Sequence, residues 1–180
     1  MRFKTRRVAL LAALALAVPA TVAGAQILDK NPDEGPVGGG PVTVQCGQAL
    51  ASTVQTNNGL NSTSSVPWVN LPTAQVPITV PANSTRCIKV LFTAETTCSG
   101  QPAAPDLCYV QATIDGVPMS PFGQNFQAID SDDPSPGAHA YEWVRRVGPG
   151  AHLVEIQQRV GNPATTLTTD DWTMDVQVHG

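Results

Sequence analysis

The chain has 180 residues, 42% of them hydrophobic and 13% charged, with 16 prolines and 15 glycines. This composition excludes a disordered polymer and suits one packed, turn-rich domain. Ten basic against 14 acidic side chains give a net charge of −4, which excludes the basic footprint that nucleic acid or an anionic membrane surface demands.

Residues 1–25 read as an export leader. Arg2, Lys4, Arg6 and Arg7 form a basic head, Val8 to Val18 an apolar run of 11 residues, and Ala23-Gly24-Ala25 a small-residue cleavage signature before Gln26. The run is shorter than the roughly 20 residues that a membrane-spanning helix needs. The flanks of Arg6-Arg7 fit twin-arginine export poorly, so the general secretory route is expected. Removing the leader leaves six basic against 14 acidic residues, a net −8. The mature chain is expected to be secreted and extracellular, with no membrane span.

Residues 26–40, QILDKNPDEGPVGGG, lack apolar periodicity and read as a flexible lead-in. A folded domain is therefore expected over residues 41–180. Its segments alternate apolar and polar residues with the period of two that marks half-buried strands. PVTVQC aligns Val42, Val44 and Cys46, and VPITV aligns Val76, Ile78 and Val80. RCIKVLFTA aligns Ile88, Val90, Phe92 and Ala94, CYVQATI aligns Cys108, Val110, Ala112 and Ile114, and WTMDVQV aligns Trp172, Met174, Val176 and Val178. Asn57-Asn58-Gly59, VPANS, Asp115-Gly116 and Gly148-Pro149-Gly150 supply turns between strands. No stretch of the domain follows the helical period. The predicted fold class is all-β, an antiparallel, jelly-roll-like β-sandwich.

HAYEWVRRV and HLVEIQQRV, joined by GPGA, read as a hairpin. Opposing Val147 to His152 places Trp143 across from Ile156 and Glu142 across from Gln157, whereas a one-residue slip would set Glu142 against Ile156. In the preferred register Arg145 falls on the apolar face opposite Val154. That predicts either a β-bulge near the turn or an inward arginine facing a ligand groove.

Cys46, Cys87, Cys98 and Cys108 all follow the leader. An even count in an oxidising compartment predicts two disulfides, for which three pairings are open. Cys98 and Cys108 bracket SGQPAAPDL, a turn-rich loop, and are expected to close it; Cys46 and Cys87 are then left to pair. A zinc site is the competing reading, without paired-ligand spacing to support it.

Catalytic residues are not evident. No G-x-S-x-G or H-E-x-x-H occurs. His152 reads as a hydrogen-bonded core-edge residue and His179 as frayed, while His139 alone lies near other polar groups. Glu142, Glu155 and Asp175 are in outward phase, where nothing desolvates them. The stretch QAIDSDDPSPGAH holds Asp130, Asp132 and Asp133, but Pro134, Ser135 and Tyr141 occupy positions where an EF-hand needs a ligand, a glycine and a glutamate. A solvated loop is expected and no cofactor, with calcium in view only if Asp170 and Asp171 converge on these aspartates. Trp143 and Trp172 are in core phase, which leaves Trp68, Phe122 and Phe126 as aromatics for a ligand platform, with Arg145 beside them as a binding residue.

From Trp68 to Val178 the order of VPWVNL, ITVPANSTRCIKVLFTAETTC, CYVQATIDGVPMSP, GPGAHLVEIQQRV and DDWTMDVQV resembles small secreted bacterial β-sandwich proteins of unassigned activity. The resemblance implies a fold and export and carries no catalytic residue. The expected protein is a secreted, non-enzymatic binding or surface-interaction module, whose partner is a glycan or another cell-surface component. A carbohydrate-binding module, calcium-supported or not, is the second reading, and a small secreted hydrolase the third.

Overall fold

The structure, a computed structural model, describes residues 43–100, 107–121, 127–131 and 133–180. The leader, the lead-in, Phe122, Phe126 and Asp132 lie outside these residues. Ten strands follow one another: β1 (Ala49–Asn57), β2 (Asn61–Thr63), β3 (Val69–Val80), β4 (Arg86–Ser99), β5 (Leu107–Ile114), β6 (Val117–Pro118), β7 (Ala128–Ser131), β8 (Asp133–Val147), β9 (Gly150–Val160) and β10 (Thr166–His179).

They form two five-stranded antiparallel sheets. Sheet A runs β1-β10-β4-β8, with β2 also on β10; sheet B runs β3-β9-β5-β6, with β7 also on β5. Four of the pairs are nested: β1 with β10, β3 with β9, β4 with β8, and β5 with β7. The outgoing half of the chain thus lies against its returning half, as in one long hairpin rolled into two layers, which is the jelly-roll arrangement.

Alternation decides what fills the space between the layers. Ile88, Val90 and Phe92 of β4 and Val110, Ala112 and Ile114 of β5 are buried with Trp143, Val154, Ile156, Trp172, Met174 and Val176. Every one of these lies in the inward phase read from the sequence. The turns fall where glycine, asparagine and proline place them. Asp115 and Gly116, with φ of 54° and 77°, form the doubly left-handed link that matches strand twist between β5 and β6. Disulfides join Cys46 to Cys87 and Cys98 to Cys108, the expected pairing and one typical of oxidising compartments. No helix among the described residues is long and apolar enough to cross a membrane.

Several expectations are corrected. HAYEWVRRV and HLVEIQQRV are not a hairpin: β8 pairs with β4 in sheet A, and β9 lies between β3 and β5 in sheet B. The turn at 148–150 crosses between layers, so Glu142 and Glu155 sit in opposite sheets. Trp143 and Ile156 point into the same core from either side, and alternation alone cannot separate that arrangement from a hairpin. Glu142 stands opposite Leu91 and is ion-paired with Lys89.

No bulge interrupts β8 near the turn, where it pairs with β4 in unbroken register from Val147 to Gly137. Thr43–Gln48, most of the expected first strand, crosses sheet A as a strap without strand structure. Arg146 donates to Gln45 O, Cys46 is bonded to Cys87, and Gly47 and Gly180 are joined by backbone hydrogen bonding. His179 is not frayed: it pairs with Cys87 and Ala49, and its Nδ1 lies 2.9 Å from Gly47 O. The acidic stretch is not a loop either. Asp130 belongs to β7, and Asp133 begins β8 opposite Cys98. Pro134 and Pro136 are tolerated in that strand because β8 is the edge of sheet A, where a missing N–H removes no ladder bond.

Candidate functional site

The side of β5 that faces away from the sandwich core is buried too. Tyr109 is 7% exposed, Gln111 6% and Thr113 0%, although a half-buried strand should turn these positions to water. They begin rows that run across sheet B. Tyr109 opposes Arg159, Gln111 opposes Gln157, and Thr113 opposes Glu155. On the far side of β9, Asn70 of β3 opposes Gln157 and Gln75 opposes Glu155.

The middle row is a chain of oriented amides. Gln111 Nε2 donates to Gln157 Oε1 over 2.7 Å, Gln157 Nε2 to Asn70 Oδ1 over 2.9 Å, and Asn70 Nδ2 to Glu155 Oε1 over 2.8 Å. Three amides pointing one way and ending on a carboxylate polarise each other. Each amide keeps a further N–H or lone pair for another partner.

Beside this row the Arg159 guanidinium lies between two rings, its Cζ 4.4 Å from the Tyr109 centroid and 5.0 Å from that of Trp68. Both are within cation–π range. The stack draws half-buried Trp68, which precedes β3, onto the outer face of sheet B.

Of the expected binding residues, Trp68 is therefore on this face. Arg145 is elsewhere. It keeps the inward phase, and its Nη1 donates to Val117 O at 3.0 Å and Pro118 O at 3.4 Å, so its donors serve the β6 backbone at the rim of the sandwich. Phe122 and Phe126 lie outside the described residues.

The described acidic residues Asp130, Asp170 and Asp171 lie toward one end of the sandwich, near Glu95 and Thr96 of β4. Asp130 accepts from buried Thr96 at 2.8 Å and from the Ser131 N–H at 2.8 Å. Asp170 stands opposite Glu95 on the outer side of sheet A, and Asp171, at φ 40°, donates its N–H to the Asp170 side chain. Among the described residues no group of three histidine, cysteine or acidic side chains could hold a metal ion. The side chains of Asp132 and Asp133 fall outside the described set.

His139 Nε2 lies 3.8 Å from Asp130 Oδ1. Here the carboxylate stands between the Thr96 hydroxyl and the imidazole, whereas nucleophile activation needs the imidazole between hydroxyl and carboxylate. A groove of about 420 Å³ beneath the strap is bordered by Lys89, Glu142 and His179. Lys89 and Glu142 are ion-paired with one another there.

At the other end of β9, seven residues from Arg159 or about 23 Å along the strand, His152 forms a clamp between two turns. Its Nδ1 is 2.7 Å from Asp115 Oδ2 and its Nε2 3.0 Å from Gly148 O. Both neighbours are acceptors, so the doubly protonated ring satisfies both and a neutral ring only one. The hydrogen bond to Asp115 raises the His152 pKa against the opposing effect of burial, with the Gly148 carbonyl adding to the rise. Asp115 is lowered by the same hydrogen bond and by the Leu153 N–H.

The His152 contribution to stability is fully present below the ordinary histidine pKa of about 6.5 and lost as pH rises through the raised value. The Asp115 contribution is present above about 3.9 and lost as pH falls through the lowered value. Both act together between about pH 4 and 6.5. Solvent screening of the half-exposed Asp115 carboxylate keeps the effect modest. Thermal melts are expected to give their highest midpoint in that window, and His152→Gln to flatten the decline on its alkaline side. An unchanged alkaline limb in the variant would remove this assignment.

Fold and face together define a disulfide-linked jelly-roll β-sandwich with a partly buried polar face on one sheet. No family model matches the chain, and none of the curated proteins matches it significantly.

Proposed function

We propose that the protein is a secreted, non-catalytic module that binds saccharide on the outer face of sheet B. One observation carries this reading: the Gln111–Gln157–Asn70 amide row ending on Glu155, set beside the Trp68–Arg159–Tyr109 stack. Sugar hydroxyls both donate and accept, as the planar amides do. The C–H face of a pyranose is apolar enough to lie on an aromatic ring that also has a polar edge. The amide row and the stack are held by hydrogen bonds and packing before any ligand arrives, which lowers the entropic cost of binding. Export is supported by the leader read in residues 1–25 and by the two disulfides.

The test is a glycan array probed with the mature chain, followed by calorimetric titration of the strongest ligand. Trp68→Ala and Gln157→Ala are each expected to weaken binding by about tenfold or more, equivalent to 1.4 kcal/mol or above. Chelator is expected to have no effect, because the contacts are ring faces and amides. Binding that survives both substitutions, or an array without a ligand, overturns the reading. Loss on chelation moves the site to the acidic residues of β7 and β10.

A further inference from the structure

The four sheet edges are not protected alike. β3 carries Pro72 and Pro77, and its register breaks between Asn70 and Gln75 around Thr73 at φ 66°. β8 carries Pro134 and Pro136, and Val144 is bridged to Ser120 on its open side. At the far edge of sheet B, β6 has two residues and β7 four. Proline, bulges, bridging segments and short length are the usual means by which proteins stop an edge from pairing with another chain.

β1 has almost none of them. Its nine residues, ALASTVQTN, include no proline, glycine or charge, and its irregularity is confined to Ala49/Ala51. It pairs with β10 along one side. Alternate residues of an antiparallel edge strand turn their N–H and C=O groups away from their neighbour, so an uninterrupted row of backbone groups faces outward. The strand also leaves apolar side chains uncovered. Leu50 is 58% exposed, Val54 60% and, just beyond, Leu60 67%; these are three of the five exposed large hydrophobics among the described residues.

We propose that two copies of this chain pair antiparallel through their β1 strands about a two-fold axis, which makes one continuous sheet from the two A sheets. Such an edge is self-complementary, as a two-fold interface requires. The mature chain's net charge, six basic against 14 acidic residues or −8, opposes contact between copies wherever acidic side chains meet, and the uncharged β1 edge avoids that repulsion. The chain's own preceding residues leave in the other direction. From β1 the strap runs back across β10 and β4 to Arg146 on β8, the far edge of sheet A.

The experiment is molar-mass measurement by light scattering on the mature chain over a concentration series, for wild type, Val54→Lys and Leu91→Lys. Val54 is exposed on the outer side of β1, opposite Asp175, so its replacement leaves the core intact. Leu91, 41% exposed, lies on the outer face of the same sheet, away from the edge. Wild type is expected to dimerise, Val54→Lys to raise the dissociation constant by about tenfold or more, and Leu91→Lys to leave it unchanged. A wild type that stays monomeric overturns the proposal, as does a Val54→Lys dimer as tight as wild type. A dimer dissolved by Leu91→Lys overturns it in favour of face-to-face packing.

Discussion

Trp143→Ala is expected to destabilise the protein by about 3–5 kcal/mol, the cost of emptying an aromatic site in a packed core. Trp143 is fully buried, sits opposite Val90 in sheet A, and stacks on Tyr141 with ring centroids 4.7 Å apart. Sheet B closes over it, so the cavity has β-sheet on both sides and little freedom to collapse. A domain of this size has a total stability of about 5–15 kcal/mol, so the variant will lose a large fraction of its stability. Trp143→Phe should cost much less. Its indole N–H is buried with no hydrogen-bond partner among the described residues, so phenylalanine removes an unsatisfied donor along with some volume. Urea unfolding followed by far-ultraviolet dichroism measures both variants. A phenylalanine variant as unstable as the alanine one would mean that the indole N–H is satisfied after all.

The Cys46→Ser/Cys87→Ser double variant is expected to lose about 4 kcal/mol, and Cys98→Ser/Cys108→Ser about 3 kcal/mol, from chain entropy in the unfolded state. The order follows from loop length: the first bond spans 41 residues of sequence and the second 10. For the first variant, that loss corresponds to a fall in melting temperature of roughly 10 °C. The strap would keep its hydrogen bonds to Arg146, His179 and Gly180, so the folded state should change little. Thermal melts of the two double variants decide the matter. A larger loss from removing Cys98–Cys108 would show that native-state contacts, rather than loop closure, dominate.

The phase of the strands was legible because a period of two states directly which side chains face the core. Partners were not. Trp143 and Ile156 face the same interior whether the turn at 148–150 makes a hairpin or crosses between layers, and only the pairing of β8 with β4 separates the two. β1 was invisible for a related reason: most of its residues are exposed on both faces, so selection for burial left no alternation in ALASTVQTN. Asp130 and Asp133 looked like loop residues because aspartate and proline favour turns, yet the margins of a sandwich accept them in strands. On the candidate face, Trp68 could be singled out as an aromatic without a core phase. The amide row could not, since asparagine and glutamine at outward positions usually mean plain solvated surface. The uncharged outward positions of CYVQATI, Tyr109, Gln111 and Thr113, were the one available hint that this side of β5 is also covered.

The nested pairing of the strands also dictates an order of events. β10, made after the other nine strands, belongs in the interior of sheet A between β1 and β4. Until it arrives, β1 has no strand to pair with and β4 is open along one side. Sheet B likewise waits for β9 to fill the space between β3 and β5. Most native contacts therefore join residues far apart in sequence, a topology that folds slowly, in milliseconds to seconds. A nascent chain of this design cannot complete either sheet early. It stays open while it is being made, and closes into its two layers only once the returning half has been laid against the outgoing half.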